Sequence, residues 1–355
     1  MLNVSKQDRQ LGNLDLLRTV AVLLVVMRHV IGFFWSGGNA LFDLQSLGIF
    51  GVLIFFVHTC LVLMMSIDRH EATVKASFLQ RYVSFQIRRV FRIYPLSIVA
   101  VLTVAFVLVP LGLTGALTHI SHWRLFSSLA LVQDITGTPQ VIDTLWSLPL
   151  EVQMYLFLPF LFVLAKRGKQ GPLFAIWLGL FLLAVSSTRL HLSSALQFPP
   201  CFIPGVICYG YLVRQVDRRL PWWTLFAATF ALLVVYMAAH SRFGGQGILG
   251  APVCLALGLL IPRTQDIPAS YAGLRNFAKT VAKYSYGIYL FHDPCIRATL
   301  AVTPHLPLPI GILLALLITA GLSVLGYHAL ELPMIKLGSR IAEHDVLKAS
   351  STGTV

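Results

Sequence analysis

The sequence is short of charge. Only 12% of its 355 residues are Asp, Glu, Lys or Arg, about half the share of an ordinary soluble domain. With 57% hydrophobic residues and a mean hydropathy of +0.78, a water-soluble globule is excluded. Acidic residues are scarcest, 14 against 27 Lys and Arg, giving a formal net charge of +13. That excess is spread between long apolar runs rather than gathered on one polar surface, so nucleic acid is not the expected partner. Cysteines number five (Cys60, Cys201, Cys208, Cys254, Cys295). None forms a CxxC pair, which argues against a zinc site or redox pair, and all fall in apolar stretches as small buried hydrophobes. No metal-ligand cluster, flavin site or nucleotide-binding loop is visible, and Gly244-Gly245-Gln246-Gly247 reads as an outer-loop turn. A cleavable signal peptide is not expected either. The chain opens polar through Gln10, and its first apolar run is long and lacks a small-residue cleavage site.

Apolar runs dominate what remains. They predict spans at about 14–35, 44–67, 93–111, 144–165, 172–188, 199–213, 222–240, 245–262, 281–300 and 309–330. Each approaches the roughly 20 residues that a helix needs to cross the hydrocarbon core. Helices are the default because lipid offers no partner to an unpaired backbone group. Trp123 to Ile135 is too short in its apolar core and reads as a segment at the outer interface. Of the 27 Lys and Arg, all but Arg28, Arg124, Arg189, Arg242 and Arg297 then fall on the side of the N-terminus. That side is therefore cytoplasmic by the positive-inside rule. The expected architecture is an all-α polytopic membrane domain over 1–343, with about ten transmembrane helices and both termini cytoplasmic. Residues 344–355 are expected as a short disordered cytoplasmic tail. No internal repeat is apparent.

Ionisable groups inside such spans are costly and mark function by default. In LDLLRTVAVLLVVMRH, Asp15, Arg18, Arg28 and His29 occupy the first span. Eleven positions at 100° return Arg18 and His29 to within about 20° of one face, roughly 16 Å apart along the axis. That separation suits a pantetheine arm, with phosphate held near the surface and a thioester presented at depth. His29 is suited to take a proton from an acceptor hydroxyl, although an interhelical hydrogen bond would also account for a lone histidine. Arg28 is open to three roles: lowering the protonated fraction of His29, stabilising an oxyanion, or pairing with a carboxylate.

In RRVFRIYP, Arg89 and Arg92 share a helical face. They suit phosphate groups, but a cytoplasmic edge gathers arginines in any case. Glu151, in TLWSLPLEVQMYLFLP, is expected near the depth of His29. There it would orient the imidazole, contact the acceptor or pair with Arg28. In YSYGIYLFHDP, Tyr286, Tyr289 and His292 form a polar stripe. Interhelical hydrogen bonding is the first reading of that stripe and substrate contact the second. Glu331 is expected to satisfy a cytoplasmic arginine.

These four segments, in this order, resemble acyltransferase family 3. The family's first-helix signature is similar to the stretch holding Arg18 and His29, with ten residues between them. Its RxxR motif matches Arg89 to Arg92, its Trp-Ser-Leu-to-Glu motif matches Trp146 to Glu151, and its SYGIYLFH motif matches Ser285 to His292. The resemblance covers essentially the whole chain. It implies a multi-pass protein of a cell membrane, of the bacterial inner-membrane kind. It further implies an acyl-CoA donor, commonly acetyl-CoA, and a hydroxyl acceptor on an envelope glycan, a glycolipid or a secreted metabolite. On that analogy Arg18, Arg89 and Arg92 hold the CoA phosphates, and His29 is the base or acyl carrier, with Glu151 and Arg28 beside it. Asp15, Trp146, Tyr286, Tyr289 and His292 are expected toward the substrate, with no metal.

This chain departs from the family at His58, Thr59 and Cys60, where a leucine, serine and glycine are usual. The lost glycine is expected to alter packing beside the first helix. No hydrolase-like extracytoplasmic domain of the kind longer members carry is expected after the tenth span, so acceptor choice is expected inside the membrane domain or from a partner. The alternative function is a transporter or flippase for an envelope intermediate, against which stands the lack of an inverted repeat.

Overall fold

A computed structural model describes residues 12–34, 44–73, 76–114, 117–190, 194–243 and 245–351. They form helices α1 (Gly12–Phe34), α2 (Leu44–Thr73), α3 (Phe78–Thr103), α4 (His122–Ala130), α5 (Gln133–Thr136), α6 (Leu148–Lys166) and α7 (Gln170–Arg189). These are followed by α8 (Pro199–Val213), α9 (Trp223–Phe243), α10 (Gln246–Leu260), α11 (Ala272–Val302), α12 (Leu308–Gly326) and α13 (Leu332–Ser351). A π-turn at Val104–Leu108 extends α3, and another at Tyr327–Glu331 joins α12 to α13. There is no strand among the described residues.

Nine helices among the described residues are long and apolar enough to cross a membrane. They match nine of the expected spans. The tenth, 281–300, lies in α11, a helix of 31 residues that is not among the nine. Its polar residues, Ser285, Tyr286, Tyr289, His292, Asp293 and Arg297, account for that. The Trp123 to Ile135 segment forms the short helices α4 and α5, neither long enough to cross. Gly245, at φ +72°, caps α10, whose first residues are already Gln246 and Gly247; Gly244 lies outside the described residues. The α13 helix continues past Glu343 to Ser351, and 352–355 lie outside the described residues.

The chain forms two compact units. The first takes the described residues up to Leu61, with Ala165–Ser186 and Pro200–Ser285. Its centre is α2, where Phe50, Leu53, Ile54, Val57 and Leu61 are fully buried. Between helices in lipid, association relies on close van der Waals packing, which small residues permit. Gly51 provides this against α1: a Cβ there would lie 2.6 Å from the Ala21 carbonyl oxygen. Cys60, at the family's usual glycine position, faces α8, where Gly205 leaves room; a Cβ on Gly205 would lie 2.7 Å from that of Cys60. The exchange therefore bears on the packing of α8. Phe56 and Phe202 stack beside it with centroids 4.0 Å apart.

The second unit takes Val62–Leu164, Ser187–Pro199 and the chain from Tyr286 onward. A capping box opens α3: Ser77 Oγ accepts from the Gln80 amide at 3.3 Å, and Gln80 Oε1 accepts from the Ser77 amide at 2.7 Å. This satisfies two orphan donors where the basic stretch begins. The α13 helix packs along α3. Tyr94 ties α3 to the end of α4 by donating to the Ala130 carbonyl at 3.1 Å.

Candidate active site

In the first unit, α1 carries Asp15, Arg18, Arg28 and His29, all half-buried. His29 Nδ1 lies 2.9 Å from the Val25 carbonyl oxygen. A carbonyl only accepts, so Nδ1 carries the proton and Nε2 is the basic nitrogen. That is the tautomer a general base requires, and the helix itself sets it. Eleven residues earlier, Arg18 Nε donates to Ser285 Oγ at 2.6 Å, and its guanidinium lies over the Phe55 ring, 5.8 Å from the centroid. Ser285 Oγ in turn donates to the Ala282 carbonyl at 2.8 Å. The planar cation is thus held on two sides, which a point-like ammonium would not reproduce.

Asp15 lies within electrostatic reach of Arg18, Lys279, Arg275 and Asp266, where it is a counter-charge to the three cations. The Arg28 stem fills the space over Gly48, and its Nη1 lies over Gly32, one turn along its own helix. His58 is buried on α2 and hydrogen-bonds the Leu14 backbone, with Arg18 in reach. Its substitution for leucine therefore adds a polar tie to α1.

In the second unit the three arginines of α3 part ways. Arg88 turns to the His70 ring at 3.2 Å. Arg92 forms an ion pair with buried Glu331 and lies over the Tyr286 ring, 5.9 Å from the centroid. The π-turn at Tyr327–Glu331 presents that carboxylate, as π-bulges often do at functional positions. The expected arginine partner of Glu331 is thus Arg92. Arg89 lies over Phe85, 5.7 Å from the centroid, and within electrostatic reach of Tyr155 and Glu151. Tyr155, one turn along α6, donates its phenolic proton to Glu151 Oε1. His29 belongs to the first unit and Glu151 to the second.

Of the α11 stripe, Tyr286 and Tyr289 bond other segments, whereas the His292 contact lies within α11. Tyr286 donates to the Ile93 carbonyl at 2.6 Å. Tyr289 donates to the Thr144 carbonyl at 2.7 Å, so its contact with Ser147 Oγ at 2.6 Å is one it accepts. His292 is buried, with Nδ1 2.9 Å from the Ile288 carbonyl oxygen. Trp146 packs on Phe198 with centroids 5.2 Å apart. Sequence reasoning missed Tyr155, whose only signal was its four-residue spacing from Glu151, and an Asp143–Arg297–Asp293 group at the other end of α11.

The family model described as an acyltransferase domain, family 3, matches residues 11–328. The chain belongs to acyltransferase family 3. All four motif segments of this acyltransferase-family chain lie inside the match. It is 27% identical over 326 residues to the peptidoglycan O-acetyltransferase OatA of Listeria monocytogenes, covering 82% of this chain and 50% of OatA. It is 26% identical to YrhL of Bacillus subtilis, provisionally named a peptidoglycan O-acetyltransferase, covering 96% of this chain and 57% of YrhL. It is 23% identical to nodulation protein 10 of Rhizobium leguminosarum, covering 92% of this chain and 94% of that protein. The chain thus spans little more than half the length of the first two relatives. No solved structure matches.

Proposed function

We propose that this membrane protein is an O-acyltransferase. It moves an acyl group, with acetyl the first candidate, from cytoplasmic acyl-CoA to a hydroxyl of an envelope glycan, a glycolipid or a secreted metabolite. The carrying observation is the His29 ring, whose Nδ1 proton is directed at the Val25 carbonyl, leaving Nε2 as the base. The acceptor hydroxyl gives its proton to Nε2, and its oxygen bonds to the thioester carbon. The C–S bond then breaks, and the departing thiolate takes the proton from the imidazolium. Arg28, next in sequence, is the candidate for the oxyanion.

Family membership, with relatives named as peptidoglycan O-acetyltransferases, supports a hydroxyl on a cell-wall glycan as the first acceptor to test. Arg18, braced by Ser285, and Arg89 are the candidates for the CoA phosphates. Arg92 is committed to Glu331 and stands one turn from Arg89 on α3. The Lys and Arg distribution supports cytoplasmic termini, and the family resemblance supports a cytoplasmic donor.

The test is acetyl-CoA binding and thioester turnover by the purified protein in detergent, with a cell-envelope extract as acceptor source. His29→Ala is expected to abolish turnover with folding intact, and Arg89→Ala to weaken donor binding. Retained turnover in His29→Ala overturns the assignment. A wild type that neither binds nor cleaves acyl-CoA favours the transporter reading.

A further inference from the structure

The second unit contains a cavity of about 290 Å³, reached from α11 by Asp293 and Pro294 at the end of the YSYGIYLFHDP segment. Its walls include Val104, Leu117 and Pro294, its charged groups are Arg124, Asp143, Asp293 and Arg297, and Thr114 adds a hydroxyl. These side chains are organised. Arg297 Nε donates to both Asp293 oxygens at 3.0 Å, and its Nη2 donates to Asp143 Oδ2 at 2.9 Å. Arg124 Nε donates to the Pro139 carbonyl at 3.1 Å and so braces the loop that carries Asp143. Asp293 is 3% exposed, whereas the Asp143 side chain is 60% exposed and that of Arg297 35%. The buried Asp293 carboxylate thus anchors a guanidinium that, with Asp143, remains partly exposed.

Two guanidinium groups and two carboxylates cancel in charge. A phosphate would meet the carboxylates and a cation the guanidiniums, so neither charged class is favoured. What the group does offer is donors and acceptors side by side, next to an apolar wall. That combination matches a pyranose ring, which presents vicinal hydroxyls at its edge and C–H groups on its face. The volume lies near the lower end of the roughly 300–1,000 Å³ of small-molecule sites, enough for a single sugar residue.

We propose that this cavity is an acceptor subsite that binds one residue of a neutral glycan through Asp143 and Arg297. The proposal rests on the acyltransferase reading above for its purpose, and on the cavity alone for binding. A zwitterionic lipid headgroup shares part of the same chemistry and is separated by the test.

The experiment titrates the full-length protein in detergent with the β-1,4-linked tetramer of N-acetylglucosamine, by calorimetry, and measures acetyl-CoA hydrolysis without acceptor in parallel. The wild type is expected to bind the tetramer. Asp143→Asn, an exposed change that keeps an oxygen for Arg297, and Arg297→Met are each expected to weaken binding about tenfold. Acceptor-free hydrolysis is expected to stay at the wild-type rate in both. If Arg297→Met does not fold, Asp143→Asn alone decides. The proposal is overturned if the wild type does not bind the tetramer, if Asp143→Asn binds it as well as wild type, or if glycerophosphoethanolamine binds instead. Tetramer binding without any acetyl-CoA turnover would sink the acyltransferase reading while leaving a glycan site standing.

Discussion

Arg18 on α1 donates through Nε to Ser285 on α11 at 2.6 Å, joining two sequence motifs that lie 267 positions apart. The bond fixes the plane of a guanidinium already stacked on Phe55. In the proposed enzyme this plane meets a CoA phosphate, so Ser285→Ala is expected to raise the KM for acetyl-CoA several-fold. A charged-group hydrogen bond is worth about 1.5–3 kcal/mol, and part of it is replaced by the remaining stacking. The kcat should hold, because His29 is untouched. A fall in kcat with constant KM would show that Arg18 acts in the chemical step instead.

The Arg92–Glu331 pair predicts an asymmetric stability response. Glu331 is 1% exposed, and removing one partner of a buried pair costs about 3–5 kcal/mol. Because the Arg92 side chain is 25% exposed, water relieves part of this, and Glu331→Gln is expected toward the low end. The double replacement Arg92→Met with Glu331→Leu should recover much of the loss. Thermal unfolding in detergent checks both, and equal destabilisation of single and double variants would remove the pair from the account.

Close contact between α1 and α2 depends on Gly51. A methyl there would sit 2.6 Å from the Ala21 carbonyl oxygen, and backbone cannot move aside as a flexible side chain can. Gly51→Ala should therefore destabilise by about 1–3 kcal/mol, the usual range for overpacking. Gly179, with open space around it, is the control: Gly179→Ala should be neutral or stabilising, as the helix gains propensity. The same unfolding assay compares the two.

Tyr289 separates helix packing from substrate contact. Its hydroxyl satisfies the buried Thr144 carbonyl and accepts from Ser147. Tyr289→Phe leaves both without that partner, at a cost of about 1–3 kcal/mol. The acceptor KM should not change. A stable Tyr289→Phe protein with a much higher acceptor KM would restore the substrate reading.

Much of this protein was legible in its sequence because lipid is an unforgiving solvent. Where every backbone group must be paired within its own segment, a long apolar run has little choice but to be a helix. Nine of the ten expected spans accordingly return as helices able to cross. The His29 tautomer is also nearly local, since a histidine four residues beyond a helical carbonyl can reach it. Arg18 and His29 share a face by helical period alone.

Tertiary structure decided what each charge touches. Nothing in the spacing of Arg89 and Arg92 says that one pairs with a carboxylate on a π-turn while the other lies beside Tyr155 and Glu151. Cys60 meets Gly205 on α8, a partner that its place in the sequence does not name. The Asp143–Arg297–Asp293 group was invisible because its members come from a loop and a helix more than 140 residues apart. In water such partners are spread over many solvated alternatives. In a packed helical bundle only the crossing geometry chooses among them, and that geometry is a property of all the helices together.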